Sequence, residues 1–224
     1  MKCTYYVRSI KMTIDSGDLL NSILASLDRI EYIRPDDIPN IDLYMDQVTT
    51  FMDDRLKSSA RYPGRDKILT KTMINNYAKN DLLPPPIKKK YSKEHVLLLI
   101  FIYYFKGFMS ISDIQTLLNP ITEAFFQKQK GFNMEDLYRE AFTLERDQLD
   151  TLKADVAEKY KKAQNAYSNA PKEDKEFLER FAFICLLSYD VYVKKLIIEK
   201  MVDELAKTKS VKKEGTKNSD RQNE

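Results

Sequence analysis

The sequence predicts an all-α fold, on three observations. Glycine is scarce, with five in 224 residues, which leaves a strand-and-turn architecture short of turn residues. Apolar side chains recur at helical spacing in one window after another. Helix-starting residues (Thr70, Ser92, Ser110) and helix-stopping prolines bound those windows. At 43% apolar residues the chain can bury one sizeable core or two small ones, and it is too apolar for wholesale disorder.

The elements follow in order. Leu20, Ile23, Leu24, Leu27 and Ile30 mark a helix over 16–33, ended by Pro35 and Pro39. A second helix is expected over 41–56, with Leu43, Tyr44, Val48, Phe51 and Met52 as its buried stripe. The stretch "KSSARYPGRD", 57–66, reads as an exposed connection. Thr70 can cap a third helix, accepting a bond from a backbone N–H two or three residues on. That helix should end near Lys79 or Asn80, because Pro84, Pro85 and Pro86 forbid its continuation. Ser92 caps the next helix, 93–106, and Gly107 suits its C-terminal end. "SISD" at 110–113 has the form of a capping box opening a short helix through Leu118, which Pro120 closes. One long helix is then expected over 134–167, with Leu137, Ala141, Leu152, Val156, Tyr160 and Ala163 near one face, and Pro171 after it. Another spans 173–207 and is apolar on most sides between Phe177 and Ile198, the mark of a buried helix. Residues 208–224 hold one apolar side chain and are expected to be a disordered tail.

Several function classes recede on composition. Cys3 and Cys185 match no metal or redox spacing and read as free thiols in a reducing cytoplasm. His95 is the single histidine, so neither a zinc site nor a histidine-activated nucleophile is expected. No glycine loop suits a phosphate, so the expectation is no enzyme, no cofactor and no metal. The longest apolar run, Val96–Phe105, is ten residues, against roughly 20 for a bilayer crossing. Lys2 and Arg8 precede no continuous apolar stretch, so no secretion signal is read, and Met12 is a second candidate start.

The chemistry concentrates in "TKTMINNYAKNDLLPPPIKKKYSKEH", residues 70–95. On a helical wheel Lys71, Thr72, Asn75, Asn76 and Lys79 fall within an arc of roughly 140°. Met73, Ile74, Tyr77 and Ala78 fill the opposite side, fit to pack on the 41–56 helix. Asparagine can bond an adenine edge through both donor and acceptor, and lysine can bond guanine or phosphate. From Arg61 to Lys106 there are ten basic and three acidic residues, a balance of +7 against +3 for the whole chain. The positive field is therefore local, as a nucleic-acid footprint would be. Lys88, Lys89 and Lys90, between the proline stop and the Ser92 cap, would project as a short hairpin or loop onto phosphates. The competing readings are a solvated helix face and a solubilising loop.

At these residues a resemblance enters. Tyr77, "DLLPPP" at 81–86, "YSKEH" at 91–95 and "KGFMSISDI" at 106–114 together resemble the MerR-type winged helix-turn-helix. The stretch "LYMDQVTTFM…LTKTMINNYAKNDLLPPP" is similar to an uncharacterised bacterial family of unknown function with a MerR-like DNA-binding domain, over about 39–118. The resemblance implies a recognition helix, a basic wing and double-stranded DNA as partner. The sequence departs from the family where its Arg-Tyr-Tyr run reads Asn75-Asn76-Tyr77, and where the short wing lacks Gly-Tyr-Arg.

The expected organisation is an N-terminal helical segment (1–38), a MerR-like winged helix-turn-helix with a short wing or minor β-hairpin (39–120), a helical dimerisation or effector region (121–207) and the tail (208–224). The expected function is a cytoplasmic, sequence-specific transcriptional regulator. It would be a homodimer, since one small module reads few base pairs, with an unknown effector and no membrane partner. DNA contacts would come from Lys71, Thr72, Asn75, Asn76, Lys79, Lys88, Lys89 and Lys90. The alternative is a helical protein-interaction module that has the helix-turn-helix shape but does not read DNA.

Overall fold

The computed structural model describes residues 16–28, 32–62, 65 and 67–220. Cys3, residues 29–31 of the first expected helix, part of the 57–66 connection and residues 221–224 lie outside the described residues. The described chain is mostly helical. It comprises α1 (Ser16–Asp28), β1 (Leu43–Tyr44), α2 (Met45–Leu56), α3 (Lys71–Lys79), β2 (Lys90–Tyr91), α4 (Lys93–Phe105), α5 (Ile111–Phe125), α6 (Met134–Asp147), α7 (Leu149–Gln164) and α8 (Lys172–Asp220). Short 3-10 turns sit at Pro35–Asp37 and Lys57–Ser59. β1 and β2 pair antiparallel, Leu43 opposite Tyr91 and Tyr44 opposite Lys90.

α4 is the axis of the larger core. Its residues His95 to Ile102 are buried without interruption, so it is enclosed on every side rather than amphipathic. Around it pack Val48, Met52 and Leu56 of α2, Ile74 and Tyr77 of α3, Ile114 and Leu118 of α5, and Met134, Tyr138 and Phe142 of α6. The Tyr138 hydroxyl donates to the Ile33 carbonyl at 2.7 Å, which ties α6 to the segment before β1. A second, smaller core joins Tyr160 and Ala163 of α7 to Phe183 of α8, with Leu20 and Ile23 of α1 against it. α8 spans both, since Ile198 and Val202 further along it reach the larger core.

Several local expectations differ from the structure. The helix expected over 41–56 starts at Met45, and Tyr44, expected in its buried stripe, is exposed. The helix expected to be buried between Phe177 and Ile198 leaves Phe177, Ile184, Tyr189 and Tyr192 exposed. Pro120 does not close α5; it lies inside it. The proline is exposed, so the carbonyl of Thr116, which loses its helical donor there, can be reached by water. The helix expected over 134–167 is two helices, broken at Gln148, whose N–H turns back to Glu145 O at 3.1 Å. The break lets α6 face the larger core while α7 faces the smaller one. α8 continues to Asp220, into the stretch expected to be a tail. Lysine and glutamate are good helix formers, and Lys207 bonds Glu204 one turn back.

The end of α3 also has a different cause from the one read in the prolines. Asp81 takes a left-handed conformation (φ 53°). The Leu82 N–H bonds Tyr77 O at 2.9 Å, and the Asp81 N–H reaches Ala78 O at 3.4 Å. This is a Schellman stop, with Leu82 buried beneath it. The three prolines then carry the chain away in extended form. Asp81→Gly should hold or raise the melting temperature, because glycine adopts this φ without penalty. Asp81→Val should lower stability by about 1–2 kcal/mol in chemical denaturation.

Candidate nucleic-acid interface

α3 begins as its sequence implies. Thr70 accepts a hydrogen bond from the Met73 N–H at 3.2 Å, and no acidic residue lies in the first turn. Ile74 and Tyr77 are buried, and Met73 and Ala78 half-buried. Lys71, Thr72, Asn75, Asn76 and Lys79 are all exposed. The Tyr77 hydroxyl sits in the packed side, and burial raises its pKa. The far end of the helix is clamped from α5, where the Gln115 side chain donates to the Asn80 carbonyl.

The lysine run folds as a two-residue hairpin turn. Ile87 and Lys90 exchange both backbone hydrogen bonds, at 3.1 and 2.9 Å, and Lys88 and Lys89 between them have φ of 49° and 64°. A turn with positive φ at both central residues matches the twist of the flanking strands, and asparagine and glycine are its favoured occupants. Lysine carries a Cβ into that region at a cost of about 1–2 kcal/mol per residue. Both side chains are exposed. Lys90 is half-buried, its ammonium 5.2 Å from the centre of the Tyr44 ring. Lys71, at the start of α3, pairs with Asp46 in the first turn of α2. Tyr44 and Asp46 are two residues apart. They therefore gather the base of the wing and the start of α3 at one end of α2.

The positive field is thinner in space than along the chain. Lys106 donates to Ile68 O at 2.8 Å and is half-buried, and desolvation lowers its pKa. Lys93 pairs with Glu135 at 2.7 Å. Lys79, Lys88 and Lys89 make no ion pair among the described residues. Asp46, which draws the Lys71 charge, lies outside the basic 61–106 stretch in sequence.

His95 anchors the wing from below. The Ser92 N–H donates to its Nδ1 at 2.9 Å, and Ser92 Oγ lies 2.8 Å from the same nitrogen. The two residues form a capping box on α4, a spacing visible in the sequence as Ser92 followed three residues later by a polar side chain. The ring packs edge-on against Tyr91 and Phe126. Because Nδ1 accepts, Nε2 carries the proton. It is buried and points toward the Pro84 and Pro85 backbone without a completed hydrogen bond. Among the described residues no cluster of histidine, cysteine or carboxylate could hold a metal, and no helix is long and apolar enough to cross a membrane.

The fold and this site describe a mostly helical protein with a polar, solvent-facing helix beside a basic hairpin turn. Residues 33–141 match the family described as Domain of unknown function (DUF1836), a span close to that of the larger core. No curated protein and no solved structure matches the chain. None of these comparisons relates it to MerR-type proteins.

Burial lowers the pKa of His95. From its ordinary value of about 6.5 down toward the folded value, the unfolded chain binds more protons, so stability rises with pH. The contribution is complete above about pH 6.5 and is lost on acidification, when a proton on Nδ1 would oppose the Ser92 N–H. Denaturation of wild type and His95→Asn between pH 5 and 7 should show a steeper loss of stability in the wild type as pH falls.

Proposed function

We propose that the protein is a sequence-specific DNA-binding transcriptional regulator built on a MerR-like winged helix-turn-helix, acting as a homodimer. α3 enters the major groove with Asn75 and Asn76 toward base edges, flanked by Lys71, Thr72 and Lys79. Lys88 and Lys89 meet the phosphates beside the groove. Lys71 exchanges Asp46 for a phosphate on binding, and Lys90 stays on Tyr44 as a brace.

The observation that carries this reading is the strained turn. Two lysines occupy positions that local energetics would give to asparagine and glycine. Strain of this kind persists where a side chain serves a function, and two adjacent ammonium groups with no ion-pair partner among the described residues, at a hairpin tip, suit a polyanion. The exposed amide face of α3 at the same end of α2 supplies the base-reading chemistry.

A second reading, a helical protein-interaction module, is favoured by one observation. An open cavity of ≈ 480 Å³ beside α2 is lined by Pro39, Ile41, Leu43 and Phe51 together with the polar Asp46, Gln47, Thr50 and Asp54, and Ile41 is largely exposed.

Selection of bound DNA from a random pool by the full chain should return a two-fold motif. Recovery of no motif, with binding unaffected by salt, favours the protein-interaction module. On the selected site, Asn75→Ala should cost about 1–3 kcal/mol and relax preference at one base position. The Lys88→Gly, Lys89→Gly variant should melt higher than wild type yet bind all sequences more weakly, its salt slope reduced by about 1 per lysine. Fluorescence anisotropy at several salt concentrations reads both effects.

A further inference from the structure

A cavity of ≈ 840 Å³ opens beside the larger core. It lies between Asp28 at the end of α1, the segment 32–37, and α6 as far as Leu149 at the start of α7. Small-molecule sites are clefts of about 300–1,000 Å³, mostly apolar with a few placed polar groups. Here Tyr32, Pro35, Phe142 and Leu149 supply the apolar surface. The Tyr32 and Phe142 rings meet at 5.0 Å and 55°, and Tyr138 backs Phe142 at 4.2 Å. The Tyr138 hydroxyl is engaged with Ile33 O, so what this part of the floor offers is aromatic surface.

The charges around that floor do not cancel. Asp28 pairs with Lys153, and Asp37 with Arg55 at 4.0 Å, both cations from outside the lining. Asp36 pairs with Arg139 at 3.5 Å, and Glu135 holds the same guanidinium at 3.0 Å. Each lining carboxylate thus has its cation. Arg34 and Arg146 also line the cavity, and neither has a carboxylate partner among the described residues. Arg146 stands about two turns along α6 from Arg139, to one side of the Tyr138 and Phe142 positions. Arg34 belongs to the wall formed by the 32–37 segment. Burial, with Glu145 second, raises the pKa of Tyr32, so at neutral pH its ring bears no charge that would repel an anion. Glu145 itself does not line the cavity.

An aromatic floor with two unpartnered guanidinium groups suits a ligand that is flat at one end and anionic at the other. A ring stacks offset or edge-on against Tyr32 and Phe142. A carboxylate can take two parallel N–H bonds from one guanidinium and the charge of a second. We propose that this cavity binds a planar aromatic carboxylate, its ring on Tyr32 and Phe142 and its carboxylate drawn by Arg34 and Arg146. The site shares no residue with α3 or the lysine turn, so it stands or falls apart from the DNA-binding reading.

Naphthalene-2-carboxylate, titrated calorimetrically into the full chain at neutral pH, is the probe. It should saturate one site per chain with a Kd below about 1 mM, within reach of so small a ligand. Naphthalene-2-carboxamide keeps the rings and loses the charge, and acetate keeps the charge and loses the rings. Each should bind at least about ten-fold more weakly. Arg34→Met and Arg146→Met, both at exposed positions, should each weaken the carboxylate by about five-fold or more while melting as the wild type does. Arg146→Glu should reverse the preference, so that 2-naphthylmethylammonium binds more tightly than the carboxylate; this gain also shows that the variant is folded. The proposal is overturned by an absence of saturable binding, by equal affinity for carboxylate and carboxamide, or by arginine variants that bind the carboxylate as the wild type does.

Discussion

The structure depends on the enclosure of α4. Eight consecutive side chains, His95 to Ile102, are removed from water, and only a helix can bury such a run while satisfying its own backbone. Each apolar member contributes roughly 1.5–3 kcal/mol of transfer free energy. The demand falls on the neighbours: α2, α3, α5 and α6 must each offer an apolar face to cover it. α3 is therefore held by its Ile74 and Tyr77 side, and its amide and lysine side has nowhere to point but solvent. The exposed face is a consequence of the buried one.

The cap of α4 extends that control to the wing. Ser92 and His95 fix where the helix begins, and Tyr91, buried just before it, pairs with Leu43 of β1. The hairpin turn at Ile87–Lys90 thus projects from a clamped base, and the strain at Lys88 and Lys89 is offset by the packing beneath. α8 runs between the two cores as one helix, with Phe183 in the smaller and Val202 in the larger.

What was legible in the sequence was local. The bounds of α3, the Thr70 cap, the Ser110–Asp113 capping box and the two-sided wheel of α3 each depend on residues within one or two turns. What was not legible depends on partners distant in sequence or on backbone angles. Asp46 drawing the Lys71 charge, Lys106 turned inward to Ile68, and α6 and α7 splitting to serve different cores have no signature in a window of ten residues. The Schellman stop at Asp81 was hidden by the prolines beside it, which offered a sufficient but different reason for the same helix end. Pro120 shows the converse, a strong local stop signal overridden by packing on the other face of α5.

In the proposed function, α3 and the lysine turn form one DNA-facing surface. Nuclear magnetic resonance of the full chain, titrated with its selected DNA site, observes the side-chain amides of Asn75 and Asn76 directly. These signals and the backbone amides of Lys88 and Lys89 are expected to shift together and to saturate at one DNA site per dimer. Saturable binding that moves other residues and leaves these four unmoved would contradict it.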